Sequence, residues 1–308
     1  MPKRLASDRP TIYGLQQHRD PRAELPPPGS IVEEYGSRYT KHPHTHLTNC
    51  NGIQSVKKIA VTIPSYNNRR WYTRNLSSVL AQNYRNFRVI YIDDCSTDRT
   101  GELVEKVIAD RNAGNLVSLI RNPARIGALG NLYNTIHNCA DDEIVILLDG
   151  DDWLAHDGVL AKINEAYADP DCWMTYGQYL SWPDNMLGYS REIATEIIDT
   201  NTFRENEWCS SHLRSFYAWL FKLIKLEDLI SPEGTFYDMA WDQAVMFPLL
   251  EMSGHRAKFI SDVLYIYNAA NPINDNKVNR QLQRSLETAI RMRKRYHRLD
   301  GPIAGLRK

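Results

Sequence analysis

Ile144-Val145-Ile146-Leu147-Leu148-Asp149-Gly150-Asp151-Asp152 is an apolar, β-branched run that stops abruptly on three carboxylates and a glycine. So short and so apolar a run reads as a strand buried on both faces, as strands of a parallel sheet are. Working outward, the pattern recurs upstream. Ile59-Ala60-Val61-Thr62-Ile63 is stopped by Pro64 and leads into Ser65-Tyr66-Asn67-Asn68; Phe87-Arg88-Val89-Ile90-Tyr91-Ile92 ends on Asp93-Asp94; Leu116 to Ile120 is a further strand. Between these lie stretches of helical spacing. One runs from about Arg70 to Gln82 with Trp71, Leu76, Val79 and Leu80 apolar, one from a cap at Ser96 or Thr97 to about Ala109, and one from Gly127 to Asn138. Strands alternating with helices imply an α/β fold with a mainly parallel sheet flanked by helices on both faces. Ligands of such sheets bind at the carboxyl ends of the strands. The polar clusters at Pro64–Asn68, Asp93-Asp94 and Asp149–Asp152 all fall there, so that edge is the candidate site.

Away from this core the reading is coarser. Residues 1–55 carry Pro26-Pro27-Pro28-Gly29 and no sustained periodicity, so they form an N-terminal extension. Within it His42, His44 and His46 alternate and would share one face of a strand, an arrangement open to a transition metal but without an evident fourth ligand. In the second half, Cys172 to Tyr176 reads as a strand, residues 181–211 as mostly loop and Leu213 to Ile224 as a helix with His212 near its start. Met239 to Met252 reads as a helix that Pro248 kinks or ends, and Val263 to Tyr267 as a last strand. Leu282, Leu286 and Ile290 mark an amphipathic helix studded with Arg291, Arg293, Lys294, Arg295 and Arg298. That basic helix could meet an anionic polymer or membrane, or simply dock its apolar stripe on the core.

Bulk composition removes several classes. Lys+Arg and Asp+Glu both number 37, so the chain lacks the cationic excess of a dedicated nucleic-acid binder. The five cysteines, Cys50, Cys95, Cys139, Cys172 and Cys209, are scattered and never spaced as a Cys-x-x-Cys pair, which fits a reducing compartment and neither a disulfide framework nor a zinc site. With no apolar leader and no run near the ~20 residues a membrane-spanning helix needs, the expectation is a soluble cytoplasmic protein.

Carboxylates are hard oxygen ligands suited to Mg2+ or Mn2+. A divalent ion beside them can neutralise a departing diphosphate. Read blandly, the same residues are a solvated acidic turn. Ile63-Pro64-Ser65-Tyr66-Asn67, Tyr91-Ile92-Asp93-Asp94-Cys95-Ser96-Thr97-Asp98 and Leu148-Asp149-Gly150-Asp151-Asp152, in that order, resemble the nucleotide-binding half of the family-2 glycosyltransferases of GT-A fold. The likeness is good over residues 57–155 and loose over 156–268, and Cys95 stands where the family commonly has Gly. It implies a Rossmann-like GT-A sheet and an inverting, metal-dependent transfer from a nucleoside-diphosphate sugar, with uracil the expected base, to an acceptor hydroxyl. Asp94 would accept from the base, with Asp93 beside it, though either could merely cap the following helix. Pro64, Ser65, Tyr66 and Asn67 would line the base and ribose pocket, with Asp149 and Gly150 near the ribose. Asp149, Asp151 and Asp152 would hold Mn2+ or Mg2+. Arg125, in Arg121-Asn122-Pro123-Ala124-Arg125-Ile126-Gly127, would approach the nucleotide.

The same resemblance places a catalytic base at the start of a later helix. Asp242, in Ala240-Trp241-Asp242-Gln243, matches, with Trp241 where an acidic residue is usual and Asp238 as the fallback. His212, Arg214 and Trp241 are candidates for diphosphate or acceptor contacts. Trp182, Trp208, Trp219 and Trp241 are sugar-stacking platforms or core. The organisation implied is an extension at 1–55, a nucleotide-sugar-binding half at 56–180, an acceptor half at 181–268 and a helix with tail at 269–308. The acceptor, whether glycan, lipid, protein or modified nucleobase, stays open. The alternatives are a sugar-1-phosphate nucleotidylyltransferase, disfavoured because Pro64-Ser65-Tyr66-Asn67 replaces a glycine-rich phosphate loop, and a non-catalytic nucleotide-sugar-binding protein.

Overall fold

The computed structural model describes residues 56–272 and 279–302. The extension, with His42, His44 and His46, lies outside the described residues. In chain order the elements are β1 (Ile59–Ser65), α1 (Tyr72–Leu80), β2 (Phe87–Asp93), α2 (Thr100–Asp110), β3 (Val117–Arg121), α3 (Ala128–His137), β4 (Ile144–Leu147), β5 (Trp153–Leu154), α4 (Val159–Ala166), β6 (Met174–Trp182), β7 (Met186–Leu187), α5 (Thr195–Thr200), β8 (Ser211–Tyr217), α6 (Ala218–Phe221), α7 (Trp241–Ser253), β9 (Ala257–Asn268) and α8 (Arg280–Arg291). The strands form one sheet ordered β3-β2-β1-β4-β8-β6-β9-β5, with β7 paired to β6. Strands β3, β2, β1 and β4 are mutually parallel, while β8 runs antiparallel to both β4 and β6.

Alternation explains the two cores. Ile59, Val61 and Ile63 of β1 point into a cluster with Leu76 and Val79 of α1, Val104 of α2 and Leu160 and Ile163 of α4. Ala60, with Val145 and Leu147 of β4, points to the other face, against Leu129, Leu132 and Ile136 of α3 and most of α7. Each fully buried aliphatic side chain contributes about 1.5–3 kcal/mol, so the buried parallel strands are firmly held. Their carboxyl ends therefore hold a site rigidly.

The structure differs from the sequence reading in identifiable places. Residues 213–224 are not a helix: they are the end of β8 followed by the short α6. Here β8 fills the gap between β4 and β6, sending Leu213 into one core and Phe216 into the other. A helix at that point would leave two buried strand edges without hydrogen-bond partners. Strand β6 begins at Met174 and runs to Trp182, and β1 continues through Pro64 to Ser65. Neither Ser96 nor Thr97 caps α2. The cap position is Arg99, whose side chain makes no capping bond, and Asp98 just before it accepts from Thr100 N through Oδ1 at 3.0 Å, while Ser96 and Thr97 bind Asn67. Helix α7 continues past Pro248 to Ser253 because it is buried almost all round.

Helix α8 docks through Leu286 and Ile290, with Leu282 left exposed. The arginines after it are used internally: Arg291 donates to Arg204 O and Asn206 O, and Arg293 to Ile230 O. The apolar-stripe reading of this helix therefore describes it better than a polymer-binding face. No helix among the described residues is long and apolar enough to cross a membrane.

Candidate active site

At the end of β4 the chain makes a tight loop fastened from several sides. Asn75 of α1 donates to Asp149 O at 2.9 Å and Asp152 O at 2.8 Å. Gly150 is required by close approach rather than by an unusual φ. A Cβ there would lie 2.7 Å from Ser65 Cβ and Oγ and from Asn68 Nδ2, so any side chain would part the β4 loop from the end of β1. Asp152 is buried, its Oδ1 accepting from Asn268 N at 2.7 Å and its Oδ2 from Tyr265 Oη at 2.6 Å. Burial and the neighbouring carboxylates of Asp151 and Asp149 push its pKa well up. Such crowding of carboxylates is relieved by a cation.

The donor atoms that come closest include an imidazole. Asp149, Asp152 and His212 each bring a ligand-type atom within 4.8 Å of the others. Asp151 lies outside that trio, its Oδ2 accepting from Asn271 Nδ2 at 2.6 Å. His212 lies on β8 and stacks on Tyr265 at 4.3 Å. Burial and the nearby Arg214 hold its pKa well below the usual range. The ring is neutral at physiological pH, the form that ligates metals. Two carboxylates and an imidazole with a third carboxylate alongside are a donor set suited to a divalent cation.

The candidate nucleotide residues divide into those that line the cavity and those that shape it. Pro64, Tyr66, Arg125, Asp149 and Gly150 line it, and the Arg125 guanidinium lies 4.2 Å from the Tyr66 ring centroid. Ser65, Asn67, Asp93 and Asp94 do not line it. Ser65 Oγ accepts from Asn68 and from Tyr91 Oη. Asn67 ties the β1 loop to the β2 loop, its N–H donating to Ser96 Oγ at 2.9 Å and its Oδ1 accepting from Thr97 N at 2.9 Å. Asp93 packs against Gly101, where no side chain would fit. Asp94 holds the Arg125 loop, with Oδ1 accepting from Asn122 Nδ2 and Ile126 N and Oδ2 from Gly127 N, at 2.8 to 3.0 Å. Burial pushes its pKa up, but these donors outweigh it and leave the group below the usual range.

Cys95 has φ 61°, in the left-handed region. A glycine there relieves a strain of about 1–2 kcal/mol while making the unfolded chain more flexible. Cys95→Gly is therefore expected to stabilise the protein by about 0.5–1 kcal/mol, measured by chemical denaturation. A destabilised variant would mean that the Cys95 Sγ contact with Pro123 O at 3.6 Å outweighs the strain.

Across the cavity, Asp242 stands in the first turn of α7, which opens on Ala240 at φ 54°. Its Oδ2 accepts from Arg214 Nη2 at 2.9 Å and its Oδ1 from Gln243 N at 2.9 Å. The Arg214 side chain is 3% exposed and the Asp242 side chain 25%. Arg214 Nε has no hydrogen-bond partner among the described residues. Asp238 is exposed, faces Gly127 and does not line the cavity. A single cavity of about 370 Å³ thus joins Tyr66 and Arg125, the Asp149–Asp152 loop, His212, Arg214, Trp241 and Asp242. Trp182, Trp208 and Trp219 are not part of it and pack against Trp71 and Trp153, Phe247 and Trp173 respectively. Sequence reasoning missed Tyr179, Tyr189, Tyr267, Asn271 and Gln283, which also line the cavity. They come from the irregular second half, where no spacing marks them.

A family model for glycosyl transferase family 2 matches residues 60–229, more than half of the chain. The poly(ribitol-phosphate) beta-N-acetylglucosaminyltransferase TarS of Staphylococcus aureus is 34% identical over 120 residues, covering 37% of this chain and 20% of TarS. Glycosyltransferase GlyG of Streptococcus pneumoniae is 25% identical over 222 residues, covering 68% of this chain and 70% of GlyG. The chain thus spans about a fifth of the first of these relatives. Among solved structures, S. aureus TarS 1-349 in complex with UDP-GlcNAc has TM-score 0.52 at 20% identity over 68% of this chain and 60% of that one. The mannosyltransferase PcManGT from Pyrobaculum calidifontis, in complex with GDP-Man and Mn2+, has TM-score 0.52 at 17% identity over 86% of this chain and 72% of that one. At these identities the likeness speaks to the fold, which is GT-A.

Proposed function

Because this chain belongs to glycosyltransferase family 2 and is a glycosyltransferase, we propose that it moves a sugar from a UDP-sugar to an acceptor hydroxyl with inversion, assisted by a divalent ion. The observation that carries this reading is the shared cavity, which has a carboxylate–imidazole group on one wall and the Arg214–Asp242 pair on the other. The nucleotidylyltransferase alternative falls with the family assignment. UDP is preferred to other nucleotides because TarS, the relative with the highest identity given above, has a counterpart solved with UDP-GlcNAc.

Tyr66 and Arg125 form the walls against which the base and ribose rest, in a loop that Asp94 holds in shape. The donor sugar then lies between the Asp149–Asp152 loop and Asp242. Asp149 and His212, with Asp152 or Asp151, hold Mn2+ or Mg2+, which when bound supplies positive charge toward the departing diphosphate. Arg214 serves two ends. Its Nη2 fixes the Asp242 carboxylate, and its Nε adds a charged donor beside the diphosphate. Asp242 takes the proton of the acceptor hydroxyl as that oxygen attacks the anomeric carbon. The new carbon–oxygen bond forms as the bond to the phosphate oxygen breaks, and the electron pair leaves with UDP. In this reading residues 56–180 handle the nucleotide sugar and 181–268 the acceptor, with His212 and Arg214 reaching back across the division.

Calorimetric titration of UDP, with and without Mn2+, on the wild type and on Asp149→Ala, Asp151→Ala and His212→Ala tests the donor site. Metal-dependent binding, weakened about tenfold or more by loss of a ligand, is the expected result. Equal binding in EDTA would remove the metal from the reading, and failure of every nucleoside diphosphate with any divalent ion would remove the donor site.

A further inference from the structure

Tyr189 is the one aromatic side chain lining the cavity, among the described residues, that is more than half exposed, at 51%. It stands on the Asp242 side, close enough for that carboxylate to act on its phenol. Its position is built. Gly188 donates its N–H to Tyr179 O at 2.8 Å, and its backbone lies so near the Tyr179 ring that no Cβ would fit between them. Tyr179 in turn meets Tyr189 edge-on at 5.9 Å and His212 edge-on at 5.7 Å. A continuous aromatic wall therefore runs from the candidate metal group to the mouth of the cavity, ending in an open ring.

We propose that Tyr189 is the acceptor platform, and that the acceptor is a carbohydrate ring whose C–H face lies on Tyr189 while one hydroxyl points at Asp242. This rests on the glycosyl-transfer reading above and names its acceptor class. A pyranose has an apolar face and a polar rim, and Tyr189 offers the matching arrangement: one flat ring bordered by Ser211, Arg214 and Asp242. An alkyl chain needs an apolar strip open along its length, whereas on this wall Tyr189 is the open ring and Tyr179 and His212 lie half-buried and buried behind it. Tyr189 binds and orients the acceptor and takes no part in proton transfer.

Two readouts test this. The first is binding of methyl glycosides and short oligosaccharides to the full chain, with UDP and Mn2+ present, followed by saturation-transfer NMR. The expected result is glycoside binding to the wild type, weakened about tenfold in Tyr189→Ala and restored to within about threefold in Tyr189→Trp, as stacking on a ring requires. The second is steady-state transfer, where Tyr189→Ala raises the acceptor KM with kcat changed far less. Hydrolysis of the UDP-sugar by water, followed in the wild type, reports on the donor site separately. Glycoside binding equal in wild type and Tyr189→Ala, or binding of long-chain alkyl alcohols in place of every glycoside, overturns the proposal. Loss of UDP binding and hydrolysis in the wild type while glycosides still bind through Tyr189 would overturn the donor reading and leave the platform standing.

Discussion

Asp242→Asn is expected to lower transfer by about 10²–10⁴-fold, the range for losing a positioned general base, while UDP binding changes little. The asparagine keeps the shape and its one amide oxygen can still accept from Arg214 Nη2, so that 2.9 Å contact survives. The amide NH2 turned toward Gln243 N gives up the acceptor there, at a small cost to the first turn of α7. What disappears is the capacity to take a proton. The discriminating measurement pairs initial rates at saturating donor with a UDP titration on the same protein. If rate and UDP affinity fall together, Asp242 acts mainly by holding Arg214 in place. A rate within about threefold of wild type would move the base elsewhere, because a lost base costs far more, and Asp238 would have to swing in from the Gly127 side. Asp242→Glu separates charge from position: its carboxylate is retained but displaced by one methylene, so partial activity marks a geometric requirement.

The parallel half of the fold was legible because its signals are local. Ile59–Ile63, Phe87–Ile92 and Ile144–Leu148 are apolar runs bounded by Pro64 or by carboxylates, and the strands observed begin where those runs begin and end within two residues of them. The site shared that legibility where it sits on the same strand ends. Residues 211–217 failed for a physical reason. Their few apolar positions fit a short buried helix as well as a strand, and only the open edges of β4 and β6, set by distant sequence, decide for the strand. His212 thereby arrives beside Asp149 from more than sixty positions away, a juxtaposition that no spacing encodes.

Missed elements of the site share a second cause. Tyr265, Asn268 and Asn271 follow or end β9 and contact the Asp149–Asp152 loop. Each is a common residue type in an unremarkable neighbourhood, and its role comes from the other end of the bond. Gly150 is needed for space against Ser65 and Asn68, which arrive from the end of β1 and leave no mark in the local sequence. The tryptophans read as sugar platforms or core: Trp219 is core, Trp182 and Trp208 are half-buried away from the cavity, Trp241 lines it, and the open ring is Tyr189.

Glu251→Leu is expected to cost about 3–5 kcal/mol, the penalty of leaving a buried charge without its partner. Arg204 meets Glu251 through two hydrogen bonds of 2.5 and 2.9 Å, with the two side chains 2% and 0% exposed. The same guanidinium donates to Ile290 O at 2.7 Å, and Glu251 Oε2 accepts from Tyr296 N at 3.0 Å. One buried pair therefore clasps the short helix at Phe203–Glu205, α7, the C-terminal end of α8 and the residues that follow it. Removing both charges in Arg204→Met/Glu251→Leu should recover much of the loss. Ile290 O keeps its bond from Arg293 N at 3.1 Å, but Tyr296 N, half-buried, loses its partner, so a deficit of about 1–3 kcal/mol sets the ceiling on that recovery. Chemical denaturation of the two single variants and the double gives the coupling. Additive costs would show that the residues act separately and that the clasp is not what holds α8. The consequence reaches the cavity, because α7 presents Asp242 at its first turn and α8 places Gln283 on the wall. A variant with α8 loosened should accordingly become open to proteolysis near residue 280 and lose acceptor affinity before it loses UDP, whose proposed base and ribose contacts at Tyr66 and Arg125 the clasp does not touch.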